Sequence, residues 1–232
     1  MNGPGHPVGS TGAEDLPVIG EPPAVELANT DYGVGPTAID FLAGPADIER
    51  WLAHAPLCLP VAPPAFAGGD AVALRDLRDA TRRALVACAD GTEPPADAVA
   101  VLNARAARAP FSERLDRGGD HDGGEPGEDD LGPGVLRVRR VPAPGRPADV
   151  VLGWLATAAI GLVGGPDRDL VRRCEGPGCT MLFVRRHHRR RWCDPSCGHR
   201  ARQASYYRRR TARDRATPEP TDRAVAARRE RP

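Results

Sequence analysis

The sequence predicts an α-rich α+β protein: a helical N-terminal domain with a small β hairpin, then a compact C-terminal module of a β hairpin and a helix. Three observations carry this. Apolar residues recur at three- and four-residue spacing in segments near 44–55, 71–89 and 95–108, and residues 150–163 form a continuous apolar run. Leu136 and Val138 alternate with Arg137 and Arg139, a strand pattern. Four of the six cysteines fall within residues 174–197, in two close pairs.

Taken in order, residues 1–23 are rich in Gly and Pro and read as a disordered tail. VELANTDYG, 25–33, reads as a short strand or extended entry, with Asn29 and Thr30 bonding local backbone at its end. Pro45 and Asp47 suit the first turn of a helix over 44–55, and Ile48, Trp51 and Leu52 share its inner face. His54 reads as a solvent-facing or capping residue. Four prolines make 56–68 a loop. Asp70 can cap a helix over 71–89, with Leu74, Leu77, Ala84, Leu85 and Cys88 inward and Arg75, Asp76, Arg78, Asp79, Arg82 and Arg83 as a solvated face.

Gly91 stops that helix, and Pro94 and Pro95 start another that turns Ala98, Val101, Leu102 and Ala106 inward. Residues 111–115 and 135–141 read as paired strands. The acidic stretch between them lacks the alternating ligands and terminal Glu of a calcium loop, so it reads as a flexible connection. A buried helix follows at 147–163; its apolar run is too short to span a membrane. Cys58 and Cys88 are isolated and read as structural or bystander thiols.

The paired cysteines carry the chemistry. Cys174 and Cys179 flank a Gly-Pro-Gly turn; Cys193 and Cys197 flank Asp-Pro-Ser. Two close pairs with a short spacer are the layout of a four-thiolate zinc site, and the lack of an export signal favours metal over disulfides. Four thiolates leave no open position, so one structural Zn2+ is expected rather than a catalytic ion. Leu170–Arg173 and Thr180–Val184 form the hairpin around the first pair. Cys197 begins a helix to about residue 212, capped by Asp194 or Ser196. The predicted division is a tail at 1–23, a helical domain at 24–165, a zinc finger at 166–213 and a tail at 214–232.

Charge points to the partner. All 32 basic side chains are arginine. Residues 171–215 carry 14 Arg against 3 acidic residues, while 1–170 carry 14 Arg against 25. Such a basic block on a near-neutral chain is the footprint of polyanion binding. The candidate contacts are Arg185, Arg186, Arg189, Arg190 and Arg191 before the last helix, and Arg200, Arg202, Tyr206, Tyr207, Arg208, Arg209 and Arg210 on it. Arginine forks suit phosphates and guanine edges, and the tyrosines can stack or bond phosphate. Arg202, Tyr206 and Arg209 share one face and Gln203, Tyr207 and Arg210 the next, so one face is expected to pack and the other to read DNA.

His187, His188 and His199 are unnecessary as ligands beside four cysteines. No phosphate loop, Ser/His/Asp set or paired carboxylates stand out in 1–170, so no enzyme activity is expected. Without a secretory start or a membrane span, the chain reads as cytoplasmic, associated with the nucleoid if it binds DNA. Duplex DNA is the leading partner, through transcription control. A zinc-stabilised RNA- or protein-interaction module is the alternative, and a homodimer and a small-molecule effector stay open.

The residues also carry a family resemblance. LVRRCEGPGCTMLFVRRHHRRRWCDPSCGHR resembles the bacterial CGNR zinc finger, named for a Cys-Gly-Asn-Arg segment after a Trp-Cys. Here RRWC stands at 190–193 and CGHR at 197–200, so His199 replaces the Asn. ANT at 28–30, LAGPADIERWLA, LNARAARAP at 102–110 and GGPDRDLVRRC resemble the partner domain of that family, ABATE. The resemblance covers roughly residues 24–212. It implies a stress-induced transcription regulator.

Overall fold

The computed structural model describes residues 16–117 and 135–216. The acidic connection and most of both expected tails lie outside these. Residues 16–23 do not behave as a tail. Leu16 and Glu21 are buried, and Glu21 accepts a hydrogen bond from the backbone of Val184.

The helical body comprises α1 (Pro23–Ala28), α2 (Pro45–His54), α3 (Gly68–Ala89), α4 (Ala96–Arg108) and α5 (Pro147–Val163). A two-residue ladder joins β1 (Asp31–Tyr32) to β2 (Ile39–Asp40). A longer antiparallel hairpin joins β3 (Phe111–Arg117) to β4 (Leu136–Pro142). The 3-10 turn Pro166–Leu170 leads into β5 (Val171–Arg173), β6 (Leu182–Val184) and α6 (Pro195–Ala216).

α3 is the centre of the body: α1, α4 and α5 all pack on it, and α1 and α4 also touch α5. Leu74, Leu77 and Leu85 of α3 belong to the same buried core as Trp51, Leu152 and Leu155. α5 runs close past the end of α4 because Gly153 has no side chain; a Cβ there would lie 2.7 Å from the Ala109 methyl. Among the described residues no helix is long and apolar enough to cross a membrane.

Several expectations need correction. The 25–33 segment opens as helix α1, not as a strand. Pro22 and Pro23 preset its first turn, and Ala24 to Ala28 are buried on every side. A fully buried short run has no helical period for the sequence to display. α3 begins at Gly68, so Asp70 lies inside its first turn and accepts Arg146 Nη2 at 2.6 Å instead of capping.

The α3 charges are not all a solvated face. Arg78 is buried, pairing with Asp40 and with Asp79 at 2.8 Å. Arg82 donates to the carbonyls of Ala28 at 2.9 Å and Thr180 at 3.0 Å.

Candidate metal centre and nucleic-acid interface

The first cysteine pair sits at the tip of the β5–β6 hairpin. Val171 pairs with Val184 and Arg173 with Leu182, which brings Cys174 and Met181 together; Cys174 N donates to Met181 O at 2.9 Å. The turn closes through Cys179 N to Gly176 O at 3.0 Å, and Gly178 takes φ +69° there. The second pair straddles the start of α6. Asp194 Oδ1 accepts from Ser196 N at 2.8 Å, capping the helix as expected and setting Cys197 in its first turn.

The four sulfurs converge. All lie within 4.8 Å of one another, with Cys179–Cys193 at 3.7 Å and Cys193–Cys197 at 3.6 Å. A tetrahedral zinc with bonds of about 2.3 Å requires sulfurs about 3.8 Å apart. Donors already point at them: Gly176 N and Cys193 N reach Cys174 Sγ at 3.4 and 3.3 Å, and Arg200 Nη2 reaches Cys197 Sγ at 3.0 Å. Such bonds favour thiolate.

Hydrogen bonding from the Cys179 thiol drives the Cys174 thiol far down, while Cys179 and Cys193 are driven up, chiefly by Cys174. Four thiols packed this closely bind a divalent cation by giving up their protons. Gly176 makes room for the cluster; a Cβ there would sit 2.8 Å from Cys197 Cβ and 3.2 Å from its sulfur. Cys174, Cys179, Cys193 and Cys197 are therefore the ligands for one structural zinc ion, closed to substrate.

Residues 21–166 match ABATE, described as a putative stress-induced transcription regulator, and residues 171–210 match the CGNR zinc finger. The chain belongs to the ABATE family. No curated protein matches it. The CGNR segment keeps its ligands despite His199, which points to solvent and meets Gln203 one helical turn on at 3.0 Å. His187 and His188 stack on each other and lie outside the sulfur cluster.

The CGNR finger is joined to the ABATE helices by side chains that substitute for a neighbouring strand. Asn29 Nδ2 donates to Leu182 O at 3.0 Å, and Leu182 N donates to Asn29 Oδ1 at 2.8 Å. Glu21 takes Val184 N at 2.9 Å. Gly33 N donates to Thr180 Oγ1 at 2.9 Å. Only Thr30 bonds locally, to Leu27 O, as the sequence suggested for both residues. The apolar core is accordingly continuous, from Leu74 and Leu155 to Met181, Phe183, Cys193 and Cys197.

Below the joint, Glu26 is fully buried and accepts from Ile19 N and Glu21 N at 3.1 and 2.6 Å. Burial pushes its carboxyl up to about 7 despite those donors. A lone Asn or Glu in an apolar run was the available signal for this joint, but it does not name its partner 153 or 163 residues away.

The basic residues divide into two groups. Arg190 is internal wiring. It pairs with buried Glu21 at 2.6 Å, donates to Cys193 O at 2.8 Å and lies over the Phe183 ring at 4.6 Å. That geometry removes it from the expected contact set. Arg186 pairs with Asp167 at 3.3 Å, Arg191 bonds Glu175 at 2.7 Å, and Arg200 is turned to Cys197.

Arg185 is half-buried, and Arg208 bonds Ser205 at 3.1 Å. Arg189, Arg202, Arg209 and Arg210 are exposed and have no acidic partner among the described residues; Arg202 lies 6.0 Å over Trp192. Tyr206 and Tyr207 are exposed, 5.7 Å apart and edge to face. One of the two helix faces is expected to pack and the other to read DNA, yet residues 206–212, which include members of both, are all exposed. Among the described residues, Cys197 and Gly198 are the last buried positions of α6, and Gly198 lies against Trp192.

Proposed function

We propose that the chain is a zinc-dependent DNA-binding transcription regulator, in which the metal site fixes the direction of α6 and the 185–191 loop. The observation that carries this reading is the set of exposed arginines on α6 and the loop tip, Arg189, Arg202, Arg209 and Arg210, which have no acidic partner among the described residues and include members of the fully exposed stretch 206–212. An unpaired guanidinium gains most from a phosphate, because no existing ion pair must be broken. Arg185, Arg186, Arg191, Arg200 and Arg208 flank this set and adjust to the backbone as secondary contacts. On this reading the chain is a binder, not an enzyme, and works at the nucleoid. The ABATE helices supply the regulatory input.

The Tyr206–Tyr207 pair favours a second reading, stacking on unpaired bases of RNA. Fluorescence anisotropy with the zinc-loaded protein separates the two. Tighter binding to duplex DNA than to single-stranded RNA of equal length supports the regulator reading. The reverse order replaces it with the RNA reading.

A further inference from the structure

We propose that the β3–β4 hairpin is a dimerisation surface whose occupant is the hairpin of a second copy of this chain. The hairpin is the longest sheet element described, and its two strands pair only with each other. Two-stranded hairpins are marginal in water without a covered face. Its base is anchored by Phe111 against the Trp154 ring, centroids 5.4 Å apart. Beyond that anchor the same face continues outward through Leu115 and Val138, directly opposite each other, and Leu136. These are 65 %, 63 % and 54 % exposed, where an alternating strand pair normally covers its apolar face.

Charge identifies the occupant. On this face Leu115 lies midway between Glu113 and Arg117, two residues away on either side. Glu113 is acidic, with Arg140 at 3.5 Å beside it. Arg117 is exposed with no partner among the described residues. A twofold axis through the Leu115–Val138 pair lays one hairpin antiparallel on the other. It covers the apolar centre of each and sets Arg117 of one copy over Glu113 of its partner, twice. The face is thus complementary to itself, the condition for an isologous interface. A seven-residue hairpin offers less area than a standard stable interface, so the dimer is a weak one that forms with concentration.

Sedimentation velocity of the full zinc-loaded chain tests this, in a series from about 1 µM to about 1 mM, the range in which weak association energies fall. The weight-average mass should climb from 24.7 kDa toward twice that value. Leu115→Lys, at a solvent-exposed position, should leave the helical signal unchanged and raise the dissociation constant at least about tenfold by placing a charge in the apolar centre. Glu113→Arg and Arg117→Glu should each weaken the dimer, and the double variant should recover it. A wild type that stays monomeric throughout overturns the proposal. So does a dimer indifferent to Leu115→Lys, or a double variant no better than its singles.

Discussion

Asn29→Ala isolates the joint between the helical body and the zinc finger. The carboxamide holds both backbone groups of Leu182, at 2.8 and 3.0 Å, and both residues are buried. Truncation leaves one N–H and one C=O without partners. Each orphaned buried group costs about 1–3 kcal/mol, so the loss is about 2–6 kcal/mol. Water entering the vacated space moves the result toward the lower end. That is a large fraction of the stability of a typical domain.

The assay is urea unfolding of the zinc-loaded protein followed by tryptophan fluorescence, with Asn103→Ala, an exposed position on α4, as the control. The control should stay within about 0.5 kcal/mol of wild type. Chelator-driven zinc loss should also be faster in Asn29→Ala, because β6 carries the first knuckle. A loss below about 1 kcal/mol with unchanged zinc release would refute the idea that Asn29 substitutes for a neighbouring strand.

Four other substitutions test the same geometry. Gly176→Ala pushes a methyl to 2.8 Å from Cys197 Cβ; zinc affinity by chelator competition should fall about 10- to 100-fold, the scale of a disturbed ligand shell. Glu26 has its carboxyl raised from 4.5 to about 7, so the folded state holds a proton that the unfolded state releases. Its contribution is full below pH 4.5 and is lost as pH rises to about 7, amounting to about 3 kcal/mol. Glu26→Gln should remove that slope from the pH–stability curve, and equal slopes for the two proteins would contradict it. Arg190→Ala should lower the melting temperature, since it strands buried Glu21, whereas Arg189→Ala should leave melting unchanged and weaken DNA binding.

Much of the fold was legible because it rests on local chemistry. α2, α4 and α5 begin at or just after prolines the sequence displays, and the cysteine spacing named the ligand set before any geometry was known. Long-range contacts were not legible. α1 lacks a visible period because it is buried all round. Arg78, Arg82 and Arg190 look like their exposed neighbours in a chain whose basic residues are all arginine, and only their distant partners set them apart. Asn29 and Glu21 likewise take their meaning from β6, which no local pattern connects to them. At α6 the helix and its arginine run were legible, but the helix starts at Pro195 rather than Cys197, and the expected packed face is exposed over residues 206–212.

The central claim is that the zinc site presents an unpaired arginine surface to DNA. The measurement that tests it most directly is the salt dependence of duplex-DNA binding by the zinc-loaded chain. Arg189, Arg202, Arg209 and Arg210 each engaging one phosphate give a log–log slope of about −3.6, an affinity loss of about 150-fold between about 50 and 200 mM salt. Arg209→Ala with Arg210→Ala should bring the slope to about −2 while zinc content stays at one per chain. Binding that is absent at low salt, or a slope that the double substitution does not change, contradicts the account.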